Sequence, residues 1–537
     1  MPGPLHLTRS APPARSRSRR SLWLAVGVGV LVLAGAAVGL FLWKRAPAET
    51  PAEAACKRGT QALLASLGEP VRVTFYVSKG GLPKVDRFAD TLDRLLLDYQ
   101  ARSGGKLVYS MTVVTTDADR TAAREAGLQE AAFGDTNDAG AAQIMRGYSG
   151  LSFQYRGEKQ VIPLLAPEQS QGLSFWIANK IREVRDRADH RSHAFGLLTG
   201  KDEMKLSEPN LINQPGASGP SIQSILEQNF PFYLFKTVDL QGGNAEIPRD
   251  YAGLIVTQAG KRYDEKELRR IDEFLMLGGK AVLIFAGAVN LKPSDASMKA
   301  TLDTQGLERL LEGYGIEMKR EAILDWGQAM AIPLMTQEGA TQQISPGVVI
   351  AKHDAALGPD AQTLDSTFTG FFRIDELAFP FPSTLVVHPE KQPGARVTVV
   401  ARTSARATVD GGESIDMALV ANAQPRGEAA PRVMAAVVDG TMTSAFGGKQ
   451  APGRLLVVSA SQFLANPFAR AGNAPSVPPQ MAMLGSSGGD VMLQALAGPY
   501  AQRYLTSTIL SFKNTLDWAT AEDDLASCGA TLVENRP

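Results

Sequence analysis

The sequence predicts an α/β protein: an N-terminal transmembrane helix, a small α/β domain, and a larger doubly wound α/β domain that carries a β-rich insertion. Three observations predict it. An uncharged apolar run fills residues 22–43, β-branched runs alternate with amphipathic helical periods from residue 71 onward, and the helical periods fade between residues 328 and 448.

The 537 residues suffice for two or three globular domains, and 55 basic against 55 acidic residues leave no field that would draw nucleic acid. The basic charge that matters is local. RSRSRR (15–20) stands before LWLAVGVGVLVLAGAAVGLFLW (22–43), which is about 33 Å long as a helix and so spans a bilayer core. The arginines predict a basic cytoplasmic tail over 1–21, and hence a single-pass membrane protein with its bulk outside the cytoplasm. Trp23 and Trp43 fall at the two ends of the run, where indole rings favour the interface. The competing reading is a cleaved signal peptide. Ala46-Pro47-Ala48 and Ala52-Glu53-Ala54 resemble cleavage sites, but the run is longer than a signal-peptide core, which favours an uncleaved anchor. Gly35 and Gly39 give the spacing that lets another membrane helix approach closely, a weak signal by itself. A Pro/Ala/Glu-rich tether over 44–58 follows.

The small domain is expected over 59–190. VRVTFYVS (71–78) reads as a strand. In the helix that follows (85–102), Phe88, Leu92, Leu95 and Leu96 recur at helical spacing. GKLVYSMTVV (105–114) is the next strand, and two strand-like runs around Arg156-Gly157-Glu158-Lys159 read as a hairpin. GLSFWIANKIREVRDR (172–187) closes the unit as a helix. This order suits a thioredoxin-like domain, and the absence of cysteine from it removes disulfide exchange.

The larger domain starts at 191 and runs to 327 before the insertion. Strands are expected over 193–200, 233–240 and 251–258, and helices over 221–230 and 263–277. Asp264 with Glu267 forms a capping box, Leu268, Ile271, Phe274 and Leu275 form the buried stripe, and Gly278-Gly279 stops the helix. AVLIFAG then reads as a central parallel strand, apolar on both faces. The pattern is that of a flavodoxin-like or Rossmann-like sheet. After the β-rich insertion (328–448), GRLLVVSASQFL rejoins that sheet within 449–537, and TSTILSFKNTLDWAT (506–520) is the final expected helix.

The usual chemistries fail on residue order. In LGGKAVLIF (277–285) the helix precedes the glycines and the strand follows, the reverse of a phosphate-binding loop; Phe274 replaces its first glycine and Ala281 its hydroxyl. FGLLTGKDE is one residue short and has Asp202 where Ser/Thr belongs. Ser459 and Ser461 follow a strand without a GxSxG setting, so no catalytic residue is expected. His190 and His193 near Asp186 and Asp189 read as the solvated end of a helix rather than a metal site; no metal and no cofactor is expected. Lys201, Asp202 and Glu203 follow the C-terminal end of a strand, where open α/β sheets bind ligands, and are the candidate binding loop. Cys56 and Cys528 are the two cysteines; outside the cytoplasm a disulfide between them is permitted, the other reading being two separate thiols.

Taken in order, LGEPVRVTFYVSKG, LLLDYQARSGGKL, FGLLTGKDE, YDEKELRRIDEFLMLGGKAVLIFAG, LLEGYGIEMKREAILDW, FPFPSTLVV, GRLLVVSASQFLANPF and NTLDWATAEDDLA resemble the extracytoplasmic auxiliary proteins of gliding-motility-type ABC transporters. The resemblance spans about residues 60–527. It implies a non-catalytic membrane-tethered partner of a separate permease and ATP-binding subunit, alone or in an oligomer, with a glutamine-amidotransferase-like fold lacking the catalytic residues. The chain departs from the family at Lys201-Asp202-Glu203, where a His-Gly-Glu-like turn is usual, and at Ser459-Ala460-Ser461-Gln462, where acidic residues are common. It also ends at Pro537 without the second membrane helix of many members. Beside this reading stands another class, an envelope scaffold or glycan-binding protein independent of any transporter.

Overall fold

Alternation of apolar side chains builds the first sheet. Val71, Val73, Phe75 and Val77 are buried along β1 (Val71–Val77) while the residues between them face outward. The computed structural model describes residues 50–136, 142–169, 172–211, 219–291, 298–336, 339–354, 358, 362–417, 424–469 and 496–532. The apolar run 22–43, with Gly35 and Gly39, lies outside these residues, as does the basic segment 1–21. Residues 52–537 form one unit, and the following concerns that unit.

Helix α1 (Pro51–Ala65) precedes β1, and α2 (Pro83–Arg102) and β2 (Leu107–Val113) follow. Next come α3 (Asp117–Glu125), the hairpin β3 (Ala131–Thr136) and β4 (Ala142–Gly147), then β5 (Ser149–Tyr155), β6 (Glu158–Ile162) and α4 (Leu173–Ala188). The sheet order is β2-β1-β5-β6, with β1 parallel to β2 and antiparallel to β5. Phe88, Leu92 and Leu96 of α2 are buried. Arg156 (φ 48°) and Gly157 (φ 86°) make the β5–β6 turn, both in the left-handed region that a two-residue hairpin demands. Helix α3 is largely polar and is held by a capping box between Thr116 and Asp119; no apolar period announces it in the sequence.

The second sheet begins with β7 (His193–Thr199), α5 (Ile222–Asn229), β8 (Tyr233–Asp239), β9 (Gly253–Thr257), α6 (Glu265–Leu275) and β10 (Lys280–Phe285). Further along lie β11 (Val289–Leu291), β12 (Lys299–Leu302), α7 (Glu308–Gly313), β13 (Ile316–Met318), β14 (Ala322–Asp325), β15 (Ala329–Thr336), β16 (Gly339–Lys352) and β17 (Glu376–Pro380). They are followed by β18 (Leu385–Val387), β19 (Ala395–Arg402), β20 (Ala407–Asp410), β21 (Ser414–Asp416), β22 (Val433–Thr443) and β23 (Gln450–Val458). The main path runs β13-β18-β22-β23-β10-β9-β7-β8, with β19 paired to β22. Five of its strands, β8-β7-β9-β10-β23, are mutually parallel. Their core position follows from composition: Leu254 to Val256, Val282 to Phe285 and Leu455 to Val458 are buried on both faces.

Helix α6 starts at Asp264, whose side chain accepts from Glu267 N while Glu267 accepts from Asp264 N. It ends before Gly278 (φ 87°) and Gly279 (φ 66°), and Gly279 N donates to Pro452 O at 2.7 Å. The turn is thus a packing junction between β10 and the start of β23. The 328–448 stretch does not stay apart as an insertion. Although β15-β16-β17 form a separate sheet, β18, β19 and β22 join the main sheet antiparallel. Strand β22 zips onto β23 from Ala435↔Val458 to Thr443↔Gln450, because residues Met434 to Val438 are buried on both faces like a central strand. The helix expected at 506–520, α8 (Thr506–Ala519), is not the last: α9 (Asp523–Gly529) follows it, too short to show a period in the sequence.

Candidate functional site

Numbered by chain order within the parallel set, the spatial order is 2-1-3-4-5, which reverses between β7 and β9. In doubly wound sheets the crevice at that reversal, beyond the carboxyl ends of the strands, is where ligands bind. The loop after β7 carries Lys201, Asp202 and Glu203 to this place, opposite the loop after β9.

There the three side chains turn on their own surroundings. Gly200 takes φ 106°, and a Cβ on it would stand 2.7 Å from Asp239 Oδ1, so the chain turns sharply only because glycine is present. Glu203 is buried and accepts from Lys201 N (2.8 Å) and Tyr263 OH (2.8 Å). Burial and that carboxylate hold the Tyr263 phenol well above its ordinary pKa. The Lys201 ammonium pairs with Glu267 Oε2 at 2.8 Å, and this hydrogen bond raises its pKa. Asp202, exposed, pairs with Lys261 at 2.8 Å. Gly260 N and Lys261 N donate to Lys201 O, Met204 N donates to Gln258 O, and Thr257 Oγ1 donates to Met204 O. The two loops are stitched together across the crevice.

The seam continues along the strand ends. Gln258 Oε1 accepts from Gly287 N, and Gln258 Nε2 donates to Asn290 Oδ1. Ala288 N donates to Ser383 Oγ, and Ser459 Oγ lies 2.9 Å from Met434 O and 2.5 Å from Ser383 O. At Gly287 a Cβ would lie 2.0 Å from Ser459 O, so the β10 and β23 ends meet backbone to backbone. Ser461 Oγ is buried without a hydrogen-bond partner. Ser459 is thus committed to backbone carbonyls and Ser461 is closed off from solvent.

The remaining residues singled out from the sequence are scattered. Asp186 is buried against Arg182 and Arg185, Asp189 pairs with Arg156 and Arg191, and the His193 ring lies 6.1 Å from that of Tyr233. Among the described residues no group of three His, Cys, Asp or Glu side chains converges as metal ligands would. The sulfurs of Cys56 and Cys528 stand 2.11 Å apart and join α1 to α9.

One cluster has no counterpart in the sequence reading. Arg182 of α4 reaches Asp517 of α8 at 2.5 Å and Tyr233 OH of β8 at 3.2 Å, and Tyr233 OH also donates to Asp517. Lys513 pairs with the other Asp517 oxygen at 2.6 Å. Arg185 adds Asp186 (2.7 Å) and Glu522 (2.9 Å). Three cations thus face three carboxylates, and Arg182, Lys513 and Asp517 are fully buried. Burial pushes the Asp517 carboxyl upward, but Lys513 and Arg182 outweigh it and hold the pKa below its usual value. The cluster ties the first lobe's last helix, α4, to β8 of the second sheet and to α8. Only the i,i+4 spacing of Lys513 and Asp517, and of Arg182 and Asp186, was there to be found, and such pairs ordinarily mark exposed faces.

The architecture is therefore that of an α/β protein with a five-stranded parallel core whose crevice at the switch point is bridged by its own polar side chains. Residues 194–484 match the family described as "ABC-type uncharacterized transport system", and the chain belongs to that family. Residues 57–154 match a domain of unknown function. An uncharacterized protein of Borreliella burgdorferi is 25% identical over 296 residues, 55% of this chain and 53% of that protein, so the chain spans about half the length of this curated relative.

Proposed function

We propose that this chain is a non-catalytic, membrane-anchored, extracytoplasmic auxiliary component of an ABC transport system, acting with a permease and an ATP-binding subunit on separate chains. Family membership across residues 194–484 carries the reading. It is supported by the crevice at β7 and β9, where a flavodoxin-like enzyme would present cofactor or nucleophile and where Glu203, Lys201 and Tyr263 are engaged with protein partners. The run 22–43 behind RSRSRR supplies the anchor and sets the bulk of the chain on the periplasmic face. ATP is then hydrolysed by the partner, across the membrane. The gliding-type resemblance is a narrower version of the same proposal.

A tagged chromosomal copy, solubilised in mild detergent and purified, tests this. A permease and an ATP-binding subunit should co-purify reproducibly, and cross-linking before lysis should raise their yield. Recovery of the chain without either, in repeated cross-linked preparations, would sink the proposal.

A further inference from the structure

A cleft of about 340 Å³ opens at the pole opposite the closed crevice, below the amino ends of β7, β9, β10 and β23. Its walls are short because Gly279, Gly440 and Gly453 contribute no side chain; at Gly279 a Cβ would meet nothing within 4 Å. The volume falls at the small end of ligand sites.

Three charged side chains line it: Lys280, Arg454 and Asp439. Lys280 is half-buried and donates to Arg249 O at 2.7 Å and Tyr251 O at 2.8 Å. An ammonium has three N–H groups, so one is left without a protein acceptor. Among the described residues Lys280 makes no ion pair, its ammonium stands 5.8 Å from the Phe274 ring centroid, and burial lowers its pKa with only Asp250 acting against that. Arg454, by contrast, is engaged with Trp518 O and lies 3.7 Å from Asp439. His193, also in the wall, keeps a buried Nε2 with no hydrogen-bond partner. The lining therefore carries one net positive charge, Lys280 and Arg454 against Asp439, with a spare ammonium donor on Lys280.

We propose that this cleft binds a small monocarboxylate, of the size of an acylated amino acid or the free carboxyl end of a short peptide, anchored by Lys280. A single negative charge balances the cleft, whereas a phosphate dianion would exceed that charge and meet Asp439. The site is independent of the transport reading and would stand if that reading fell.

Equilibrium dialysis of the full-length chain in mild detergent against radiolabelled N-acetylglycine tests the site, with uncharged N-acetylglycinamide as the comparison. Saturable binding of the acid at one per chain is expected, with the amide much weaker. Lys280→Met, which keeps the apolar stem, should weaken binding about tenfold or more, the scale of one charge-assisted hydrogen bond. Asp439→Asn should tighten it and let inorganic phosphate compete; this variant leaves Lys280 in place and decides alone should Lys280→Met fail to fold. Equal binding of acid and amide, no saturable binding, full affinity in Lys280→Met, or phosphate competing as well as the acid in the unaltered chain would each overturn the assignment.

Discussion

Asp517→Asn is the most informative single change, because one carboxylate holds three partners from three elements. Arg182 stands 2.5 Å away and Lys513 2.6 Å, with the Tyr233 hydroxyl on the same oxygen as Arg182, and none of the four is exposed. Neutralising Asp517 leaves two buried cations facing an amide. Breaking a buried ion pair from one side costs about 3–5 kcal/mol, since the surviving charge stays desolvated. Here Asp186 remains beside Arg182 at 3.4 Å, so the lower half of that range is expected for Arg182 and most of the penalty falls on Lys513.

Hydrogen exchange read by mass spectrometry on the full-length chain reports this locally. A loss of about 3–5 kcal/mol raises opening of α8 by roughly two to four orders of magnitude, so its amides should exchange correspondingly faster. Asp517→Leu with Lys513→Met removes a neutral pair and should recover much of the loss. The pH dependence has a fixed sign. A carboxyl whose folded pKa lies below its unfolded value contributes stability at pH above the unfolded value of 3.8, lost as pH falls through the folded pKa. Asp517→Asn should therefore flatten the acid limb of unfolding below about pH 4. Protection of α8 within about threefold of the unaltered chain would refute the claim that this cluster fastens the helix.

The other expectations are simpler. Replacing Cys56 and Cys528 by serine releases a link across 472 residues and should cost about 2–4 kcal/mol, seen as a lower thermal midpoint that reductant no longer shifts. An unchanged midpoint would mean the two ends are held without it. Gly287→Ala places a methyl 2.0 Å from Ser459 O and should destabilise by about 1–3 kcal/mol in urea unfolding; a neutral result would contradict the close approach of β10 and β23. Glu203→Ala strands the buried Tyr263 hydroxyl and Lys201 N–H and should cost about 2 kcal/mol or more, whereas a stabilising effect would mark Glu203 as a carboxylate kept for a ligand.

Local signals carried most of the sheet and its switch point into the sequence. The capping box at Asp264 and Glu267, the glycines at 278 and 279, and the unbroken apolar run of β10 each act over a few residues, and each appears where the sequence places it. Lys201, Asp202 and Glu203 were locatable for the same reason: a strand end is a local event. What they do there was not, since Glu203 meets Tyr263 and Lys201 meets Glu267 only after two loops converge. Strand partnership was equally hidden. Nothing local says that β22 pairs with β23 rather than with the β15–β17 sheet, and the whole 328–448 stretch read as one insertion.

Helix α8 shows the limit most sharply. Lys513 and Asp517, four apart between apolar residues, have the spacing of a solvent-facing pair, worth a few tenths of a kcal/mol on an exposed helix. Inside the protein the same pair is an obligation, because a buried charge without a partner costs far more than the pair returns. Arg182 and Tyr233 meet that obligation from elements 335 and 284 residues away in sequence. Residue spacing cannot separate the two cases; only the surroundings do. The polar groups of this helix thus make its docking position specific: a shifted α8 would still bury its leucines, but it would leave Lys513 or Arg182 unpaired. That specificity, rather than net stability, is what a buried network of this kind contributes to a scaffold built to hold two sheets together.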